Sequence, residues 1–483
     1  MSTPNSQLRR DLTLTDATSL VIGTIIGTGI FLKTAVMAQQ LGTPALVLAA
    51  WGVAGLLSLA GALTYAELGA LLPRAGGEYV YLRAAWGDAL AFLYGWTRYI
   101  VGGGSVAAYG AAFAIFLSAL FPLNSVWVER TFQLAGQPFH WQFGTRQVIA
   151  VAVILCFALV NCFGVAFGGR VQTILTAAKL AVIGVIVGGI FLFSTSGSWT
   201  HLNAGAAAQS AGGLREFGAA MLGALWAFSG WHYLPMAAGE VREPERNVPR
   251  ALIVGIIVIL AVYWLLNLTY FYALPITEVA TANSTKYPAA PSVAAKAAQT
   301  FLGATAIAFV SLTFLISTVG SLNGALLSVA RVNFAMARDG LFFARFGRLK
   351  SGAQVPAWSV MLYSLWGCLL AVSGTFDQLT NLAVFSYSIF WMLTASAVFV
   401  LRRKMPDASR PYHVTGYPIV PGLFVLVSLW LIVNTLRTNP VESLTALILM
   451  SLGLPLYAYF RHRKRAAGAS FIQPGEKQYE YSD

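Results

Sequence analysis

Long apolar runs separated by short polar segments make up most of this chain. The clearest runs are residues 44–70, 88–121, 171–193, 249–274 and 378–401. Each is long enough to cross a hydrocarbon core of about 30 Å as a helix, which takes about 20 residues. Lipid offers no partner to a free backbone N–H or C=O, so a segment that crosses it alone must be helical. The pattern predicts an all-α membrane protein.

The apolar runs and the polar segments between them predict about twelve transmembrane helices. We place these spans at residues 17–38, 44–70, 88–121, 146–164, 171–193, 216–239, 249–274, 298–337, 356–374, 378–401, 418–436 and 441–460.

The order of the spans divides the chain into two halves and a C-terminal pair. Spans 1 to 5 (17–193) and spans 6 to 10 (216–401) form the halves, and two further helices follow (418–460). Polar segments lie at the two ends, at residues 1–16 and 461–483. Because five is odd, the halves have opposite orientations in the membrane. We therefore expect two inverted five-helix repeats plus two C-terminal helices.

The charge distribution indicates orientation rather than a nucleic-acid partner. The chain is 57% hydrophobic and 10% charged, with a net charge of +13, whereas soluble domains carry about 25% charged residues. With the N-terminus inside, Lys and Arg concentrate on the inner side, for example at 242–250, 402–404 and 461–465, and few, such as Lys33, lie outside. The positive-inside rule then predicts a cell-membrane protein with both termini in the cytoplasm.

Cysteine and histidine usage argues against a metal site and against an enzyme. The three cysteines, Cys156, Cys162 and Cys368, fall inside predicted spans, without the paired short spacing of a zinc site. The five histidines are scattered, so no cluster of catalytic groups is expected in the bilayer. We predict no cofactor and no metal. A channel or a membrane-embedded sensor stays open as an alternative to a transporter.

Two spans contain glycines that predict breaks in their helices. Span 1 has Gly27 and Gly29 near its middle, and span 6 has Gly230 with Pro235 shortly after. Glycines also pack helices closely, but Gly27 and Gly29 are two residues apart and do not share a helix face. We therefore expect an unwound turn. Broken helices at matching positions of two inverted halves are typical of a transporter binding site.

The polar groups of such breaks suit a zwitterion. Unwinding exposes N–H groups at the start of the outer half-helix, together with the positive end of its dipole, and these attract a carboxylate. The carbonyls freed on the other side accept hydrogen bonds from an ammonium group. An amino acid carries both groups about one carbon apart, so we expect amino acids to be the substrates.

Several motifs along the chain resemble those of the amino acid–polyamine–organocation (APC) superfamily, and specifically its L-type amino acid transporter branch. They are Ile26–Phe31 (IGTGIF), Tyr65–Gly69 (YAELG), Pro73–Tyr79 (PRAGGEY), Phe228–Trp231 (FSGW), Glu240–Arg250 (EVREPERNVPR), Asn323–Gly324 with Arg331, Ala337–Gly340 (ARDG) and Arg410–Pro411. The resemblance covers nearly the whole chain in the expected order. It implies the leucine-transporter-like fold, with spans 1 to 5 and 6 to 10 as inverted repeats.

The resemblance also implies a set of substrate contacts. The backbone amides of Thr28 and Gly29 would hold the substrate carboxylate, and the carbonyls of Ile25, Trp226 and Ser229 would hold its amino group. Trp226 matches the aromatic residue that closes over the substrate in relatives, although a core or interfacial tryptophan is the alternative. The gate and pocket residues implied in span 6 are Trp226, Phe228, Gly230 and Trp231.

Three ionisable residues inside the spans need an explanation. Lys179 lies about 12 Å deep in span 5, where it either extends to the interface or, as the resemblance implies, stands where sodium binds in sodium-coupled relatives. Arg98 in span 3 needs a buried partner, and the sequence identifies none. His232, just after the span 6 break, is a candidate pH-sensitive residue, with a structural histidine as the alternative.

Together these features predict sodium-independent exchange of neutral L-amino acids by alternating access. No acidic residue lies near the centre of a span, which disfavours a cationic substrate, so an arginine or polyamine antiporter is an alternative, as is a proton-coupled symporter. Eukaryotic L-type transporters join a heavy chain through a cysteine after span 3, and residues 122–145 contain none. We therefore expect the lipid bilayer and the amino acid substrate as partners, but no disulfide-linked heavy chain.

Overall fold

The computed structural model describes residues 8–134, 137–203, 213–284, 286–287, 289–373, 376–438 and 440–466. The helices are α1 (Leu14–Ile25), α2 (Gly29–Leu41), α3 (Pro44–Leu71), α4 (Glu78–Trp86), α5 (Asp88–Ile100), α6 (Gly102–Ser118), α7 (Thr145–Cys162), α8 (Val165–Phe193), α9 (Leu214–Ala227), α10 (Tyr233–Met236), α11 (Pro244–Ala273), α12 (Ile276–Ala280), α13 (Val293–Leu302), α14 (Ala306–Arg338), α15 (Ala357–Ser373), α16 (Phe376–Lys404), α17 (Ile419–Thr438), α18 (Pro440–Ser451) and α19 (Gly453–Ala466). Two strands form a hairpin, β1 (Val126–Leu134) and β2 (Gln137–Gly144). Much of the predicted N-terminal segment 1–16 and of the tail 461–483 lies outside the described residues.

Within the described residues, ten helical stretches are long and apolar enough to cross a membrane. They correspond to all the predicted spans except those at 216–239 and 356–374. The first of these two is divided, because α9 ends after 14 residues at the expected break. The second is α15, an apolar helix of 17 residues. The chain is thus a multi-pass helical membrane protein.

The first span begins and divides where its sequence predicts. Thr13 and Asp16 form a capping box, in which the Asp16 N–H donates to the Thr13 hydroxyl and the Asp16 carboxylate accepts from the Thr13 N–H. This arrangement satisfies N–H groups that have no partner inside the helix. The helix then stops at Ile25 and resumes as α2 at Gly29.

Three spans that we expected to be single helices are divided. The predicted span 298–337 is α13 and α14, joined by a 3-10 turn at Gly303–Thr305, where Gly303 has a φ of +57°. Because that backbone conformation is unfavourable for residues with a Cβ, glycine ends α13 here. Likewise 441–460 is α18 and α19, and 88–121 is α5 and α6. Each of the three is nevertheless one helical stretch long enough to cross the membrane.

The prediction of an all-α protein is wrong for residues 122–145. They contain the antiparallel hairpin of β1 and β2, in which Glu129 pairs with Gln142. The start of β1, Val126-Trp127-Val128, is rich in residues that favour strands. The Trp141 side chain donates to the Val372 carbonyl at 2.9 Å, which ties the hairpin to the end of α15.

Small residues allow the central helices to approach one another closely. A side chain on Gly324 of α14 would collide with Thr24 of α1, with 2.3 Å between the Cβ and the Thr24 methyl carbon. A side chain on Gly255 of α11 would similarly meet Val21 of α1 at 2.6 Å. Helices in membranes pack through such small residues. As a result α1 is enclosed by α8, α11 and α14, and the end of α1 lies at the centre of the protein.

Candidate substrate site

The predicted break in span 1 is present at residues 26–28. The Gly27 N–H donates to the Ile25 carbonyl at 2.7 Å, which turns the chain out of the helix. At the start of α2, the N–H groups of Thr28 and Gly29 have no acceptor among the described residues. Gly27 and Thr28 are also partly exposed, whereas Ile25 is buried. The break therefore presents a free donor at the partly exposed Thr28 and a second donor without an acceptor at the buried Gly29.

The predicted break in span 6 is also present, at residues 228–232 between α9 and α10. Gly230 has a φ of +146°, and a Cβ there would lie 2.8 Å from the Ile25 nitrogen. The Thr24 hydroxyl, in turn, donates to the Gly230 carbonyl at 3.1 Å. Only glycine fits this close approach of two backbones. The two breaks are therefore in direct contact.

A tyrosine that we did not single out from the sequence joins the two breaks. The Tyr263 hydroxyl of α11 lies 2.9 Å from the Ile25 carbonyl oxygen and 3.2 Å from that of Ala227, and it shares its proton between them. The Ile25 carbonyl, expected to face the substrate amino group, thus already accepts from Tyr263 and from the Gly27 N–H. Nothing in the local sequence around Tyr263 indicates this contact.

In α9, before the span 6 break, Trp226 packs against span 1. A side chain on Gly29 would meet Ala227 at 2.8 Å and the Trp226 ring at 3.1 Å, so the two half-helices are in contact there. The Lys33 ammonium lies 4.9 Å from the centre of the Trp226 ring. We expected Lys33 in an outer loop, which is wrong, because it lies within α2. The cation–π contact joins α2 of span 1 to α9 of span 6.

The other residues implied in span 6 differ in their surroundings. Ser229 and Trp226 are partly exposed. Phe228 is buried against Trp51 of α3, with 5.9 Å between the ring centres. Trp231 is also buried, and its ring centre lies 4.6 Å from that of Tyr65 of α3. The structure therefore places Ser229 and Trp226 at the accessible side of the break, and Phe228 and Trp231 in contact with α3.

Lys179 lies at the span 1 break, with its side chain 1% exposed. Its ammonium donates to the Gly23 carbonyl at 2.6 Å and to the Ile26 carbonyl at 2.8 Å. The Ser317 hydroxyl of α14 donates to the same Ile26 oxygen at 2.7 Å. These contacts connect spans 1, 5 and 8. The alternative in which Lys179 extends to the membrane surface is wrong.

Arg98 and His232 are both 1% exposed and lie close to Tyr233, the first residue of α10. The Arg98 guanidinium lies 4.3 Å from the ring centre of Tyr387 and 5.1 Å from that of Tyr233. The His232 ring lies 4.6 Å from the Tyr233 ring. Tyrosine faces are the close neighbours of Arg98, and the buried carboxylate of Glu78 interacts with it electrostatically without a hydrogen bond to it.

Two ion pairs, one of them fully buried, hold Glu240 after span 6 and Glu67 near the end of α3. The Arg331 guanidinium of α14 donates to both carboxylate oxygens of Glu240, at 2.6 and 3.0 Å, and both side chains are fully buried. The Arg402 guanidinium makes the same two-pronged contact with Glu67, at 2.8 and 2.7 Å. Bidentate pairs of this kind fix geometry strongly. Within the described residues, no group of three His, Cys, Asp or Glu side chains could hold a metal ion.

Comparison of the sequence with known proteins identifies the family of this chain. The sequence profile of the amino acid permeases matches residues 12–455. The chain belongs to the amino acid permease family. This permease therefore belongs to the superfamily that its motifs resemble, and it is a transporter rather than an enzyme.

The permease is similar over nearly its whole length to characterised transporters. It is 31% identical over 466 residues to the serine/threonine exchanger SteT of Bacillus subtilis, covering 96% of this chain and 100% of that protein. It is 29% identical to the human b(0,+)-type amino acid transporter 1, over 95% of this chain and 89% of that one. The human cystine/glutamate transporter is 28% identical, over 94% and 86%. These similarities support amino acid transport as the activity.

Proposed function

We propose that this permease exchanges neutral L-amino acids across the cell membrane without sodium, by alternating access. Its termini face the cytoplasm in this proposal, and residues 17–193 and 216–401 are inverted repeats. The matching positions of the two breaks, in the first and sixth spans, support the repeat. The direct contact between Gly230 and the span 1 backbone supports a single site built from both breaks.

The polar backbone groups at the breaks support recognition of the part that all amino acids share. The free N–H groups of Thr28 and Gly29, at the start of α2, would bind the substrate carboxylate. The carbonyls of Ile25, Trp226 and Ser229 would bind its ammonium group. Since the Ile25 carbonyl already accepts from Tyr263, substrate binding would displace or supplement that hydrogen bond. The rings of Trp226, Phe228 and Trp231, with Gly230, would then form the gate and pocket.

The observation that carries sodium independence is the position of the Lys179 ammonium. It donates to two carbonyls of the span 1 break, Gly23 and Ile26, with the Ser317 hydroxyl on the same Ile26 oxygen. Carbonyl and hydroxyl oxygens are the ligands that a hard cation takes. A fixed ammonium group in their midst supplies the positive charge, so a sodium ion has neither a place nor a role there.

Exchange is favoured because, without a bound substrate, polar groups at the breaks have no hydrogen-bond partner. Gly29 is already buried, and if the empty site closed, the Thr28 N–H would be buried without an acceptor as well. Such a group costs about 1–3 kcal/mol, and a cost of about 2 kcal/mol slows the return of the empty carrier by about 30-fold. The similarity to a bacterial serine/threonine exchanger supports the same mode.

The test is uptake of labelled alanine into proteoliposomes that contain the purified permease. Vesicles preloaded with unlabelled alanine should take up label about 30-fold faster than empty vesicles. Replacing sodium with choline at constant pH should leave this rate unchanged. A sodium requirement would refute the role given to Lys179. Equal rates in empty vesicles that increase with an inward proton gradient would replace exchange with proton symport.

A further inference from the structure

The buried guanidinium of Arg98 lacks the hydrogen bonds that such a group needs. Its Nε and Nη1 have no hydrogen-bond partner in the described part of the chain, and Nη2 contacts only the Met236 sulfur, at 3.7 Å. Glu78 interacts with Arg98 electrostatically, but its carboxylate accepts from Tyr65 and Tyr94 instead. A buried donor without an acceptor is costly, and more so when it is charged.

The side chain of His232 has the same deficit beside Arg98. Neither Nδ1 nor Nε2 of its buried ring has a partner among the described residues. The Tyr233 ring is a neighbour of both groups, 4.6 Å from the imidazole and 5.1 Å from the guanidinium. A neutral imidazole offers one donor and one acceptor, whereas a guanidinium offers donors only. The pair therefore presents more donors than acceptors.

This pair lies next to the substrate site. Tyr233 is the first residue of α10, and Gly230, in the break just before it, touches the backbone of span 1 at Ile25. On span 3, Gly102 lies one turn beyond Arg98, and a Cβ there would approach the Tyr387 hydroxyl at 3.0 Å. Because glycine has no side chain, α6 can approach the Tyr387 hydroxyl closely at this point. Arg98 and His232 thus both lie against Tyr233, the residue that directly follows the span 6 break.

We propose that Arg98 and His232 form a subsite for the substrate side chain, an inference that rests on the proposed function. The subsite selects amino acids whose side chain carries an oxygen acceptor, such as serine, threonine and glutamine. The guanidinium donates to the side-chain oxygen, and the imidazole accepts from its hydroxyl or amide hydrogen. Sites that hydrogen-bond a substrate group reject the analogue that lacks it, because their buried polar atoms are then left unpaired.

The experiment compares pairs of amino acids that differ mainly in this oxygen. Serine against alanine, threonine against valine, and glutamine against norleucine compete with labelled alanine for exchange by the permease in proteoliposomes. We expect the wild type to prefer the oxygen-bearing member of each pair. In Arg98→Met the preference should fall by about tenfold or more, because a hydrogen bond to a charged group is lost. Arg98→Lys, which keeps the charge without the planar fork, should lie between.

Control variants separate selection from a structural role. Arg250→Met makes the same change at an exposed arginine and should leave every ratio unchanged. If Arg98→Met is not produced as folded protein, Arg98→Lys and His232→Ala are compared instead. Equal weakening of both members of each pair, or unchanged ratios, would overturn the subsite. A wild type that exchanges amino acids without preference would overturn it as well, whereas no exchange at all would refute the proposed function.

Discussion

Lys179 is the residue whose replacement tests the proposed mechanism most directly. Lys179→Met keeps a side chain of similar length and removes the ammonium group that donates to Gly23 and Ile26. The Ile26 carbonyl would still accept from Ser317 at 2.7 Å. The Gly23 carbonyl would keep only Ser321, at 3.5 Å, the limit of a hydrogen bond.

The size of the effect follows from these contacts. One carbonyl left nearly unpaired in a buried position costs about 1–3 kcal/mol, and loss of the charged hydrogen bond adds a similar amount. A total cost of only about 2 kcal/mol would lower the population of the correctly formed break by about 30-fold. Removing a buried charge also removes its desolvation cost, which offsets part of the loss in folding stability. We therefore expect exchange to fall at least about 30-fold while the protein remains folded.

The assay is alanine exchange in proteoliposomes, normalised to the amount of reconstituted protein, together with thermal unfolding in detergent. Lys404→Met is the matched control, since Lys404 is exposed at the end of α16, and its exchange rate should equal that of the wild type. If Lys179→Met exchanged alanine at nearly the wild-type rate, the ammonium would not be needed at the break. Lys179 would then give no support for sodium-independent transport.

Three further predictions concern the breaks and the segment after span 6. Gly29→Val, whose Cβ would meet Ala227 at 2.8 Å, should reduce uptake of every amino acid together; loss for some substrates only would place Gly29 in a side-chain pocket. Arg331→Met leaves the Glu240 carboxylate buried without its partner and should cost about 3–5 kcal/mol of stability; an unchanged unfolding temperature in detergent would contradict this. His232→Ala should leave the pH profile of alanine exchange, normalised to its maximum, unchanged; a shifted profile would make His232 a proton-coupling residue.

The sequence alone determined the spans and the positions of the breaks. Helices in lipid satisfy their backbone groups within one segment, so apolar length is a local signal, and ten predicted spans correspond to helical stretches of the required length. The breaks at Gly27–Gly29 and Gly230 were equally predictable, because glycine spacing is also local. Residues 122–145 were mispredicted, since a hairpin outside the apolar runs has only a weak strand signal.

Only the tertiary structure decided which side chains meet at those breaks. Tyr263 reaches the Ile25 carbonyl from 238 residues away, and Lys33 covers Trp226 from a different span. Contacts of this kind depend on the rotation and depth of whole helices, which are set by packing of small residues that are spread along the chain. The depth of Lys179 could be counted from the sequence, but its two carbonyl partners could not. For Arg98, the sequence showed that a buried charge needed an explanation, and only the fold revealed that its neighbours are aromatic faces.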